Sequence, residues 1–282
     1  MANLKTEISW TDATWNPVTG CSKVSLGCKY CYAERLFSRP YPGRKFTDVQ
    51  THPDRLRQPL SWRTPKRIFV NSMSDLFHEA VPDWFIANVF SVMEGCRNRH
   101  TFQILTKRPA RMRQWVNEWK RQIDYMADHA TPEGMYSQRY SHVWLGVSVE
   151  NQETADERIP ILLETPAAVR FLSCEPLLEP VNFMRILFEE KLGRPQSQSW
   201  RPEAFPAGSK IDWCIVGGES GPHARPMQLA WAQSIVDQCR AAGVAPFVKQ
   251  LGGVRDKRED MVKFPLELRV REFPTEHLED PS

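Results

Sequence analysis

His142-Val143-Trp144-Leu145-Gly146-Val147-Ser148-Val149 is apolar at nearly every position, and Glu150-Asn151 follows at once. A strand covered on both faces reads this way, and such strands belong to parallel sheets flanked by helices. Working outward, the same signature returns at Arg67–Asn71, Thr101–Thr106, Val169–Ser173, Ile211–Gly217 and Ala245–Lys249. A shorter first strand is expected near Trp15-Asn16-Pro17-Val18-Thr19.

Helical periods fill the gaps. Pro82-Asp83 opens one helix, with Phe85, Val89, Val92, Met93 and Cys96 on its apolar face. Pro109 opens another, carrying Met112, Trp115, Trp119, Ile123 and Met126. A third has Leu229, Ala232, Ile235, Val236 and Cys239, and it ends at Gly243 as a C′ glycine. Strands alternating with helices predict repeated β-α units. About six units against the eight of a full barrel predict an α/β fold, a partial (β/α)6 TIM-like barrel with parallel strands.

The chain of 282 residues reads as a single domain, residues 1–282. Its 41% hydrophobic content and ten Trp suffice for a large core, and a net charge of +3 does not by itself imply a nucleic-acid partner. Charge is uneven, however: between Arg35 and Arg67 nine Lys/Arg face two acids. That stretch is either a solvated loop face or a surface for phosphates. Two segments read as irregular, a Pro-rich basic loop over 39–65 and an insertion over 193–209. The N-terminus has no apolar signal region and no run is long enough to span a membrane. Seven Cys in such a chain suit reduced thiols in the cytoplasm.

Three of the cysteines stand together in Gly20-Cys21-Ser22-Lys23-Val24-Ser25-Leu26-Gly27-Cys28-Lys29-Tyr30-Cys31, a C-x6-C-x2-C spacing. Three thiolates suit a four-iron cluster with one corner free for a ligand. In a parallel barrel, chemistry gathers where strands end. Those positions read Asn71-Ser72-Met73-Ser74-Asp75, Thr106-Lys107-Arg108, Ser148-Val149-Glu150-Asn151, Cys174-Glu175-Pro176, Gly217-Gly218-Glu219 and Lys249-Gln250. Helix capping explains Ser74, Asp75 or Asn151 singly. It explains less well Lys107, Glu150, Glu175, Glu219 and Lys249 together. Cys96, Cys214 and Cys239 read as small buried hydrophobes. Cys174 either joins them or faces the site as a hydrogen donor. His78 reads as a surface residue at a helix start, with the barrel mouth as the alternative.

The cysteine loop, Tyr30 before its last Cys, and the β-α order resemble the radical S-adenosylmethionine (SAM) superfamily. More closely, the chain is similar to a phage-associated three-cysteine-motif family of unassigned substrate. The strings that carry this are Ser9-Trp10-Thr11, Trp15-Asn16-Pro17, Ser72–Phe77, Leu105–Pro109, Gly146–Asn151, Leu172–Leu177, Gly217–Gly221 and Val248-Lys249-Gln250, spanning about residues 7 to 273.

The resemblance implies a [4Fe-4S] cluster on Cys21, Cys28 and Cys31, with SAM as cofactor or cosubstrate. It implies one-electron cleavage of SAM to a 5′-deoxyadenosyl radical, and an electron donor such as flavodoxin or ferredoxin. By position, Ser72 and Met73 take the methionine amino group. Ser148, Glu150 and Asn151 suit the ribose hydroxyls and the carboxylate end. Lys107 pairs the SAM carboxylate. Gly217 and Gly218 allow close backbone approach. Glu175, Glu219, Arg225 and Lys249 are expected at the substrate, which is a nucleic acid, a nucleotide or a small metabolite. Trp10 and Trp15 are expected to shield the cluster. The chain departs from the commonest radical SAM spacing, C-x3-C-x2-C, by its first gap of six.

Three other readings compete. A structural or nucleic-acid-binding zinc protein would use the three Cys with His52, although a second ligand pair is missing. A non-catalytic barrel module would not need so many charged strand ends. A Rossmann methyltransferase would carry a G-x-G-x-x-G, which the sequence lacks.

Overall fold

The computed structural model describes residues 6–127, 135–184, 186 and 210–274. The strands are β1 (Ala13–Trp15), β2 (Val18–Thr19), β3 (Gln50–Thr51), β4 (Lys66–Val70), β5 (His100–Thr106), β6 (Val143–Ser148), β7 (Val169–Cys174), β8 (Trp213–Gly217) and β9 (Ala245–Gln250). The helices are α1 (Tyr32–Phe37), α2 (Asp83–Glu94), α3 (Pro109–Ala127), α4 (Met135–Arg139), α5 (Gln152–Leu163) and α6 (Leu229–Ala242). Seven strands form one parallel sheet, ordered β1-β4-β5-β6-β7-β8-β9, which curls into a half-barrel. The expected partial barrel is therefore the fold observed. No described helix is long and apolar enough to cross a membrane.

Period-2 alternation splits the strands between two cores. Residues such as Ile68, Ile104, Leu145, Leu172 and Val216 join the cluster that includes the buried faces of the helices. Phe69, Trp144, Phe171, Trp213, Ile215 and Phe247 point into the half-barrel and close around Trp10. Trp213 meets Trp10, Trp144 and Phe247 edge-on, at ring distances of 5.7 to 6.0 Å. Edge-to-face packing of this kind adds to the area these rings bury. The result is an aromatic floor beneath the strand ends. The chain after the short 3-10 turn Leu266–Leu268 covers the β9 edge: Val248 N–H donates to Val270 O and Glu272 N–H to Pro246 O, both at 2.9 Å.

Several local expectations need correction. The first sheet strand is Ala13–Trp15; Pro17 has no N–H to extend its ladder, and Val18–Thr19 instead pairs antiparallel with Gln50–Thr51. Trp10 and Trp15 do not flank the cysteines. Trp10 is floor, and Trp15 is fully buried in the outer core with its Nε1 donating to Arg55 O at 2.9 Å. Cys174 does not face the site: it is fully buried, with its Sγ 3.8 Å from that of Cys214. Cys96, Cys214 and Cys239 are buried as expected. The last turn of α3 leaves the core, exposing Met126. Gly243 ends α6 in the left-handed region, at φ 68°. The 39–65 segment is irregular but patterned, with short turns at Pro53–Arg55 and Pro59–Ser61 and the strand β3. The 193–209 insertion lies outside the described residues.

Candidate functional site

Parallel strands bring all their C-terminal ends to one edge, so residues distant in sequence meet there. The cysteine loop sits on this edge. Gly20 N–H donates to Met73 O at 3.1 Å and Cys21 N–H to Phe46 O at 2.8 Å. A single 3-10 turn, Leu26–Cys28, shapes its middle, and Cys31 immediately precedes α1. The three thiols are free and partly exposed. They share one electrostatic neighbourhood, since the charge of Cys28 acts on both Cys21 and Cys31.

Beside Cys21 lies Arg108, which is nearly buried. Its Nη1 donates to Cys21 Sγ at 3.6 Å and to Asp75 Oδ2 at 3.3 Å. Its Nη2 donates to Ser22 O and Oγ, and its Nε to Glu79 at 3.0 Å. Asp75 is itself fixed by the Thr106 hydroxyl and by the N–H groups of Phe77 and Lys107. His78 reaches the same loop, with Nε2 2.8 Å from Ser22 Oγ. Ala80 N–H donates to its Nδ1, so the neutral ring carries its proton on Nε2. Burial and the nearby Arg108 hold the His78 pKa down, which keeps that neutral form.

Burial pushes the Cys21 thiol up to about 11, assisted by the charge of Asp75 and opposed by Arg108. Burial also raises Cys31, opposed by the nearby backbone N–H groups at the start of α1 and by the charge of Lys107. A bound metal reverses that balance, because its own charge favours the thiolate.

Glu150 forms the second anchor. Its side chain is fully buried and takes Lys107 Nζ at 2.9 Å, Arg158 Nη1 at 3.1 Å and Ser25 Oγ at 3.0 Å. Burial pushes its carboxyl up, but the two cations outweigh burial and leave it below the usual range. Gly27 of the cysteine loop packs directly against this carboxylate; a Cβ there would lie 2.5 Å from it. The missing side chain is what lets the loop sit down.

The β8 loop forms the third anchor. Glu219 is buried and is held by Arg225, through Nη2 at 2.6 Å and through Nε and the backbone N–H at 2.8 Å each. The same Nη2 donates to Leu26 O at 3.1 Å. Tyr30 stacks on His223 and lies under the Arg225 guanidinium.

Among the expected cofactor and substrate residues, Glu175 and Lys249 meet, with Oε1 and Nζ 2.5 Å apart and both side chains still partly accessible. Gly217 faces this pair, since a Cβ on it would lie 3.1 Å from the Glu175 carboxyl. Ser148 continues the inward Trp144–Gly146 row above the aromatic floor and is nearly buried. Asn16 Oδ1 accepts from Ser72 Oγ and Met73 N–H, and Tyr32 OH donates to Ser72 O. Asn151 caps α5: its side chain accepts from Thr154 N–H, in a capping box. Gly218 lies against the Leu251 carbonyl, leaving no room for a Cβ. A separate groove of about 1090 Å³ lies between α2 and α3, lined by Trp84, Arg111, Trp115 and Trp119 among others.

Sequence reasoning passed over Arg108, Asp75, Arg158, Ser25 and Asn16 as site residues, and of its two readings of His78 the mouth of the barrel, not the surface, is the one observed. One signal was available for Arg158: it falls on the buried stripe of α5 with Ala155, Ile159 and Leu162, where a charge needs a partner. His52, the candidate fourth zinc ligand, has Nε2 2.8 Å from Thr19 Oγ1.

Among the described residues, no three His, Cys, Asp or Glu side chains stand close enough to hold one metal ion. Three thiols that serve separate irons of a cluster need not converge on one point. The donor chemistry fits such a cluster in part: Arg108 donates to Cys21, Cys31 sits at the N-terminus of α1, and Cys28 lies 3.9 Å from the Ser25 hydroxyl, whose own proton goes to Glu150. Soft thiolates surrounded by donors are the usual environment of iron–sulfur ligands.

A family model described as a protein of unknown function (DUF5131) matches residues 5–274. No curated protein and no solved structure matches the chain.

Proposed function

We propose that this chain, which belongs to the DUF5131 family, is a radical SAM-type iron–sulfur enzyme that modifies a substrate of unidentified class, with nucleic acid or nucleotide first in line. The observation that carries the reading is the convergence of Arg108 and Arg225 as hydrogen-bond donors on the cysteine loop, at the strand ends of a parallel half-barrel. Cys21, Cys28 and Cys31 are the residues that would hold a cluster, and the chemistry it would supply is one electron to the sulfonium of SAM, breaking the S–C5′ bond to leave methionine and a 5′-deoxyadenosyl radical.

The chain's own residues divide the remaining work. Lys107, Ser148, Gly217 and the Ser72-Met73 turn are the groups we assign to SAM. Glu150 acts through Lys107, which it holds in place beside the loop. Asn151 acts through the α5 cap, and Gly218 through its packing on Leu251. Glu175 and Lys249, a partly accessible acid–base pair above the apolar floor, are the groups we assign to the substrate. Glu219 and Arg225 clamp the cysteine loop instead of waiting free for a substrate. Exposed Arg39, Lys45, Arg57 and Arg63 favour a phosphate-bearing substrate. Seven unpaired cysteines favour the reducing cytoplasm, where flavodoxin or ferredoxin would supply the electron.

The test is anaerobic reconstitution with iron and sulfide, then reduction and addition of SAM. The reading expects 5′-deoxyadenosine, and its loss in Cys28→Ala. A reduced, cluster-loaded protein that leaves SAM intact would contradict it.

A further inference from the structure

We infer that Arg108 sets the reduction potential of the cluster through its hydrogen bond to Cys21, an inference that rests on the reading of Cys21 as an iron ligand. The three sulfurs are not equivalent. Cys31 precedes α1 with no hydrogen bond from the helix end to its side chain, and Cys28 faces the Ser25 hydroxyl at 3.9 Å, whose proton goes to Glu150. Cys21 is hydrogen-bonded by a full positive charge that is nearly buried.

The guanidinium is also fixed in direction. Glu79 holds Nε at 3.0 Å, Asp75 holds Nη1 at 3.3 Å, and Ser22 holds Nη2 at 3.2 Å through its carbonyl and 2.8 Å through its hydroxyl. Asp75 cannot swing away, because Thr106, Phe77 and Lys107 each donate to it. An arginine present only for packing would be satisfied by Asp75, Glu79 and Ser22. Here an N–H is directed at a sulfur as well. Adding an electron makes the cluster and its sulfurs more negative. A fixed donor and cation beside one sulfur therefore favours the reduced state, and more strongly in a partly desolvated site. Removing it also leaves the Asp75 charge uncompensated next to Cys21, which pushes the same way. Arg108 is thus a positioning residue whose effect is read as a potential.

The experiment is an EPR-monitored redox titration of the reconstituted full-length protein, wild type against Arg108→Gln and Arg108→Lys. The expected result is a lower potential in Arg108→Gln, with the reduced-to-oxidised ratio at a fixed potential falling about tenfold, or ~59 mV for one electron. Arg108→Lys, which keeps the charge but not the fork, should fall by less. Equal potentials in all three cluster-bearing proteins would overturn the inference while leaving the enzyme reading intact. If Arg108→Gln fails to retain the cluster, Arg108→Lys decides: a fall supports the inference and no change overturns it. A wild-type protein that takes up no cluster would remove the reading itself, and this inference with it.

Discussion

Arg225 holds Glu219 through Nη2 and Nε, at 2.6 and 2.8 Å, and the same Nη2 reaches the carbonyl of Leu26 at 3.1 Å. One side chain thereby ties the β8 loop to the cysteine loop, 199 residues away in sequence. Arg225→Ala should free the cysteine loop without unfolding the sheet. Hydrogen exchange over residues 22–31 is predicted to quicken about tenfold or more, while the strands keep their protection. Unchanged exchange in the loop would show that Arg225 does not restrain it.

The contact between Gly27 and Glu150 makes a second prediction. Glu150 cannot retreat from an added methyl, because Lys107 and Arg158 both hold it. Gly27→Ala should cost about 1–3 kcal/mol in urea unfolding and lower the iron bound per chain. Glu150→Gln should cost more, about 3–5 kcal/mol, since it leaves two cations without their buried partner. Equal stability of Gly27→Ala and wild type would mean the loop does not sit as described.

The fold was legible because its strands are buried on both faces, and a strand such as Val143–Ser148 then reads as an uninterrupted apolar run. Helix α5 was harder: Pro160 and several charges blur its period, and it was not anticipated. Which face a tryptophan takes depends on sheet register, so Trp10 and Trp15 were set beside the cysteines when they belong to two cores. The cysteines and the charged strand ends stood out as residue types. Their pairings did not, because Arg108 meets Cys21 across 87 residues and His78 meets Ser22 across 56. Such contacts are set by strand order, which local pattern does not encode. Residue type also cannot show that Glu219 and Arg225 satisfy each other, whereas the capping reading of Asn151 is the one the structure has.

His142 supplies a pH prediction. Its Nε2 lies 2.8 Å from Met93 O, joining the chain just before β6 to α2, and burial pushes its pKa down to about 4. The unfolded chain titrates near 6.5, so the unfolded state binds the proton first as pH falls. Stability should be fully present above about pH 6.5 and decline toward pH 4, by up to about 3 kcal/mol. Denaturant unfolding across that range should show the decline, and His142→Asn should lose its part of it. A variant with the same pH profile as wild type would assign the decline to other groups.

Glu175 and Lys249 should behave as a unit. In a double-mutant cycle of Glu175→Gln and Lys249→Met, stability is expected to show a coupling of about 0.5–3 kcal/mol. Both variants should retain the cluster, because neither residue touches a cysteine sulfur. Additive effects would mean that the pair is not formed in solution.

The central claim is that Cys21, Cys28 and Cys31 together hold an iron–sulfur cluster that binds SAM. The most direct measurement is the EPR spectrum of the anaerobically reconstituted and reduced protein, before and after SAM is added. The account predicts about four irons per chain, a cluster signal that changes shape on SAM addition, and loss of both in Cys28→Ala. A colourless protein carrying one equivalent of zinc, with no signal from the reduced sample, would contradict it.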